Sequence, residues 1–188
     1  MAAVVFAFDL GRNGNDNPAG ALDPTASPDP SVTAGPGAAI SLASVTDFDP
    51  FQDGGKPAEK PDQVPLATDG DPQTAWTTST YKDGPDLTVY KPGVGLLVDL
   101  GQSHQVSQVD LVLQGGPHTL QVLATDSAQP PSDPTQMQVV GRATGAEEKT
   151  VIELNEGTRA RFVVIWLTGL PPAPGGYRGA IADLQVRG

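Results

Sequence analysis

From residue 94 to the end, the chain is a succession of short runs in which apolar side chains fall at every second position. This spacing constrains the fold more than any other feature. Residues 94–100, VGLLVDL, place Leu96, Val98 and Leu100 on one face, and residues 105–113, QVSQVDLVL, do the same with Val109, Leu111 and Leu113. Residues 119–124 (Leu120, Val122) and 180–186 (Ala182, Leu184, Val186) repeat the pattern, and residues 137–141 and 150–154 are shorter runs. A period of two marks strands that bury one face. Residues 161–167, RFVVIWL, have no polar face, as expected of a strand covered on both sides. Gly- and Pro-rich turns at 99–103, 115–117, 127–134 and 171–176 separate the runs. With an opening strand at 38–45, this makes about eight strands and no amphipathic helix, which predicts an all-β fold, a β-sandwich jelly roll. The uneven loop lengths argue against a closed up-and-down barrel.

The 22 glycines and 19 prolines of the 188 residues cluster between the apolar runs instead of spreading through them. Residues 11–37 carry Pro18, Pro24, Pro28, Pro30 and Pro36 and almost no large apolar side chain. Such a stretch cannot offset its own ordering entropy and reads as an extended linker. It follows an apolar stub, residues 1–10, for which two readings stay open: a first strand, or the outer end of a transmembrane helix lying outside this chain. The stub is too short to span a bilayer and lacks the basic start of a signal peptide. The domain proper is placed at 38–188. Within it, residues 46–65 read as a long irregular loop in which Phe48 and Phe51 sit among Asp47, Asp49 and Asp53. These rings either pin the loop to the core or offer a stacking surface.

Several function classes are excluded or disfavoured. The formal net charge is −11, and no run of Lys or Arg exists to meet a phosphate backbone, so nucleic acid is not an expected partner. The absence of cysteine removes thiol catalysis, thiolate zinc sites and disulfides. His104 and His118 are the only histidines, in no HExxH spacing, and there is neither a G-x-S-x-G elbow nor a P-loop. The expectation is a protein that is not an enzyme.

Residues 66–81, LATDGDPQTAWTTSTY, are the densest polar stretch. In DGDPQT, Gly70 permits a tight turn while Asp69 and Asp71 can accept from backbone N–H groups. Two readings of this turn stand together: an Asx-type turn ahead of a strand anchored by Trp76, or a site for a hard cation, because calcium takes six to eight oxygens and Asp, Thr and free carbonyls supply them. Trp76 and Trp166 read as core. Tyr81 and Tyr90 flank the turn-rich KDGPDLTV, where each is either a loop anchor or an exposed platform.

The order of DGDPQTAW, GVGLLVDLG, QVSQVDLVL, RARFVVIWL and IADLQV resembles the discoidin-like, factor V/VIII type C (galactose-binding-like) jelly roll across residues 38–188. Together with FDPFQDGG and KPGVGLLVDLG, it looks like the C-terminal ectodomain of actinobacterial MviN/MurJ-type proteins that carry a kinase-like domain. The resemblance implies a non-catalytic binding module on the extracytoplasmic face of the cell membrane. The implied ligand is a cell-wall glycan or peptidoglycan precursor; the alternative is a protein-interaction or spacer ectodomain without sugar binding. It also implies a structural Ca2+ at Asp69, Asp71 and Thr74, completed by the Ala182 carbonyl and the Asp183 carboxylate, where the family commonly has Glu. Stacking of sugar rings is implied at Tyr81, Tyr90 and Phe51, with Lys82 beside them and Lys91, Tyr177 and Arg178 as further polar contacts.

Overall fold

The computed structural model describes residues 37–50 and 58–188. The stub at 1–10, the linker from residue 11 to residue 36, and Phe51 lie outside the described residues. No described helix is long and apolar enough to cross a membrane.

Among the described residues the strands are β1 (Ser44–Phe48), β2 (Trp76–Thr77), β3 (Val94–Gln105), β4 (Gln108–Leu113), β5 (His118–Thr125) and β6 (Gln138–Ala146), followed by β7 (Lys149–Glu153), β8 (Arg159–Gly169), β9 (Pro172–Ala173), β10 (Gly176–Tyr177) and β11 (Ala180–Arg187). Two antiparallel sheets form, in the orders β1-β3-β8-β5-β6 and β2-β11-β4-β7, with β9 and β10 as a separate small hairpin. Leu96 and Val98 of β3, Val163 and Ile165 of β8, Val109 and Leu111 of β4, and Leu184 and Val186 of β11 join one buried cluster between the sheets. The all-β sandwich follows from the alternation: β4 buries Val109, Leu111 and Leu113, while the alternating Gln108, Asp110 and Val112 are only partly buried.

The run apolar on both faces is β8, at the centre of the five-stranded sheet. Its inner side chains enter the main core. Its outer Val164 and Trp166 form a second cluster with Phe48 and Leu123, against which Met137 and Val139 pack. The Phe48 and Trp166 rings meet edge to face, with centroids 5.6 Å apart. Phe48 therefore pins the end of β1 to the outer face of the sheet.

Three sequence expectations are corrected. The opening strand at 38–45 divides between the two sheets. Ala39 bridges to Arg187 and the Ile40 amide donates to the Val186 carbonyl, whereas Ala43 donates to Asp99 and opens β1 alongside β3. The phase slip before Val45 marks this crossing. The irregular loop at 46–65 ends in a 3-10 helix, Pro61–Ala67, started by a proline and burying Val64 and Ala67. In β11 the register slips between Ile181 and Asp183, so Ile181 and Ala182 are both buried.

Candidate functional site

One end of the sandwich is built by the segment around Glu59, the chain from β2 to Tyr81, the loop at 82–93 and the β9–β10 hairpin. A buried polar network ties these parts together. The Trp76 indole N–H donates to the Glu59 carbonyl at 2.7 Å. The Glu59 carboxylate accepts from the Ser79 amide, from the Ser79 hydroxyl at 3.4 Å and from the Tyr81 hydroxyl at 3.2 Å. Lys91 Nζ stands 2.9 Å from Asp49 and 3.8 Å from Glu59, and 5.5 Å from the centroid of the Tyr81 ring. Burial pulls the Lys91 ammonium pKa down. The hydrogen bonds of Tyr81 and Asp49, with the charge of Glu59, outweigh it and leave the pKa above its ordinary value. Burial pushes the Glu59 carboxyl up, against the Ser79 amide and the Lys91 charge. Burial is the larger effect, and the nearby Asp49 charge adds to it in the same direction.

This network corrects two sequence expectations. Tyr81 is 7% exposed and belongs to the core, so it is a support and not an exposed platform. Lys91 is buried among acids and is not a rim contact. The reason is shared: Glu59, two residues before a proline, reads in sequence as a solvated loop charge, yet the loop folds it inward to meet both side chains.

Tyr90 stands at the rim. Its ring leans on Tyr81 with centroids 5.2 Å apart. Its hydroxyl donates to Asp83 Oδ2 at 2.6 Å and accepts from the Asp83 amide at 2.8 Å and the Lys82 amide at 3.3 Å. It is 37% exposed and sits next to Val89, which is 64% exposed, with Lys82 also in solvent. The ring is thus fixed at both ends before any ligand arrives. Across from it, Tyr81 and Tyr177 exchange backbone hydrogen bonds of 2.9 and 2.8 Å. Gly176 permits that approach: a Cβ there would lie 2.2 Å from the Tyr81 carbonyl oxygen, at a φ of +152°. Tyr177 and Arg178 are half-buried beside it.

The DGDPQT turn lies elsewhere and is exposed. Asp69 accepts from the Asp71 amide at 2.9 Å and the Thr74 hydroxyl at 2.7 Å, and Asp71 accepts from the Gln73 amide at 2.9 Å. These bonds hold the Asp69 carboxyl below its usual range. Asp183, half-buried on β11, is raised by burial and, against a Leu184 hydrogen bond, by the negative charge of Asp69. The turn and the start of the last strand are therefore electrostatic neighbours, and Ala182 sits at the register slip just before Asp183. Among the described residues no three His, Asp or Glu side chains form a metal-holding group. The donors are all oxygens, a set that fits a hard cation provided Thr74, the Ala182 carbonyl and water add to the carboxylates.

His118 is buried, and its Nε2 accepts from the Ala180 amide at 3.4 Å. Burial pushes its pKa down, against an opposing effect of the Ala146 backbone. It ties the start of β5 in one sheet to the start of β11 in the other.

No protein-family model matches the chain. Solved structures share its fold. The CBM32 module of AlyQ in complex with 4,5-unsaturated mannuronic acid superposes with a TM-score of 0.55 at 16% identity, over 79% of this chain and 97% of that one. Chitosan-binding module 2 of the chitosanase/glucanase from Paenibacillus sp. IK-5, in complex with chitotriose, gives 0.54 at 19% identity, over 80% and 98%. The family 89 glycoside hydrolase from Clostridium perfringens matches with 0.53 at 18% identity over 81% of this chain, but over only 15% of the enzyme. The fold is the galactose-binding-like, discoidin-like β-sandwich of these carbohydrate-binding modules.

Proposed function

We propose that this domain is a non-catalytic glycan-binding module whose ligand seats on the rim around Tyr90. The observation that carries the reading is the fixed, partly exposed Tyr90 ring, braced by Tyr81 and held by Asp83, with Val89 and Lys82 beside it. An aromatic face of low conformational entropy is what stacks on a pyranose ring at little ordering cost. The fold shared with carbohydrate-binding modules supports the class of ligand. The likeness to envelope ectodomains supports the finer assignment: a domain on the extracytoplasmic face of the cell membrane, held there by a helix outside this chain, that takes a cell-wall glycan or peptidoglycan precursor. A structural Ca2+ at Asp69, Asp71, Thr74, Ala182 and Asp183 belongs to the same proposal, with the role of closing the turn onto β11.

Sedimentation with purified peptidoglycan, followed by titration with soluble muropeptides, tests the function. Wild type is expected to bind and Tyr90→Ala to lose binding while keeping its fold. A wild-type protein that stays in the supernatant and shows no muropeptide response overturns the cell-wall assignment.

A further inference from the structure

Three cations, Lys60, Lys82 and Arg178, have no carboxylate within ion-pair distance among the described residues. This happens in a chain with 22 Asp and Glu against 11 Lys and Arg. Two of the three converge. Lys60 Nζ donates to the Thr77 hydroxyl at 2.7 Å. That hydroxyl in turn donates to Gln63 Oε1 at 2.9 Å, which fixes the ammonium on β2. Thr77 pairs with Ala180, and the Thr78 amide donates to the Gly179 carbonyl at 3.0 Å, so the backbone of Arg178, in the link between β10 and β11, runs alongside the end of β2. The guanidinium makes no hydrogen bond to the described residues.

The backbone holds this placement at a cost. Lys60 is the only non-glycine among the described residues with a positive φ, at 52°. A long side chain in the left-handed region is uncommon and is kept where the surroundings demand it. Its pKa lies below the ordinary value, first from burial and then from the charge of Arg178, against Glu59 and Asp62. Lys60, anchored on Thr77 of β2, and Arg178, two residues before Ala180, the Thr77 pairing partner, are thus brought to facing stretches of one sheet edge.

We propose that Lys60 and Arg178 form a clasp for a carboxylate carried by an acidic glycan. The inference rests on the glycan-binding reading of the Tyr90 rim and adds the class of sugar. A planar guanidinium matches the two oxygens of a carboxylate, and the anchored ammonium adds a point charge. An incoming anion relieves the repulsion between the cations. The rest of the acidic surface repels it, so selectivity is local and weakens with salt.

The test is calorimetric titration of the full chain with trigalacturonic acid and with its methyl ester, the same sugar without charge. Galactose and galactose 6-phosphate form a second pair. The acid is expected to bind at least about tenfold tighter than the ester, and Lys60→Gln and Arg178→Gln each to remove most of that difference, with Arg178→Lys keeping part of it. Unchanged thermal melts show that the variants fold. Equal binding of acid and ester overturns the clasp and leaves the glycan reading standing. Preference for the phosphate, lost in the same variants, overturns the carboxylate assignment. Failure of every saccharide in this set to bind overturns the clasp, while the peptidoglycan and muropeptide measurements decide the glycan reading separately.

Discussion

Lys91 Nζ and Asp49 Oδ2 stand 2.9 Å apart with both side chains 1% exposed. The pair links the end of β1 to the entry of β3, 42 residues later in the chain, and Glu59 closes it from the third side. Replacing Lys91 by Met strands two carboxylates in the interior. Loss of one partner of a buried ion pair costs about 3–5 kcal/mol. Urea unfolding of Lys91→Met should show that loss, and the triple change Lys91→Met, Asp49→Asn, Glu59→Gln should recover a good part of it. A single variant as stable as wild type would refute the role of the ammonium.

Glu59 makes stability depend on pH in a stated direction. Its folded pKa lies above the ordinary 4.5 because burial disfavours the charged form. The native state therefore keeps a proton that the unfolded chain has already released. Stability is greatest on the acid side of that window and falls as pH rises from about 4.5 through the raised value. Glu59→Gln removes this titration. The stability of wild type minus that of Glu59→Gln, from urea midpoints between about pH 4 and 8, should decline as pH rises. A difference that is flat or rises with pH contradicts the assignment.

How far the sequence reached can be judged from these residues. Leu96, Val98, Val109 and Leu111 were legible as a buried face because a strand's side chains alternate whatever it pairs with. The doubly buried β8 was legible for the same reason. Glu59 and Lys91 were not, since nothing local distinguishes an inward charge from a solvated one; only the partner 32 positions away decides it. Tyr81 and Tyr90 stand at opposite ends of one loop and look alike in sequence. The bridge from Tyr81 to Tyr177 draws one inward, and the bond to Asp83 holds the other at the surface. The left-handed Lys60 had no local signal either, because glycine is the residue that announces such a backbone.

That division between the two tyrosines gives a separable pair of outcomes. Tyr81→Ala removes a buried ring and its bond to Glu59, so it should cost about 3–5 kcal/mol in unfolding free energy. Tyr90→Ala removes a half-open ring and should cost about 1 kcal/mol or less. On the glycan reading, Tyr90→Ala nonetheless abolishes binding. Tyr90→Phe keeps the stacking face but loses the bond to Asp83, and should bind measurably more weakly than wild type with the same ligand preference. Binding curves and urea melts on the same samples separate the two effects; a Tyr90→Ala protein that binds as wild type does would remove this residue from the site.

Calcium should act through the repulsion between Asp69 and Asp183. Without a cation, the charge of Asp69 helps to keep the Asp183 carboxyl above its ordinary pKa; Asp69→Asn relieves that repulsion but also weakens the bonds from the Asp71 amide and the Thr74 hydroxyl, so each variant is compared with itself in chelator. With a cation, the same change removes a ligand. Free calcium at about ten times its dissociation constant adds about 1.4 kcal/mol. For a domain of this size that raises the melting temperature by about 3–6 °C. Scanning calorimetry in excess calcium and in chelator should show the rise in wild type and not in Asp69→Asn or Asp183→Asn. The rise should shrink as pH falls and Asp183 takes up its proton, because the protonated carboxyl no longer ligates. Identical melts of wild type in calcium and in chelator would sink the site and leave DGDPQT as a turn closed only by its own hydrogen bonds.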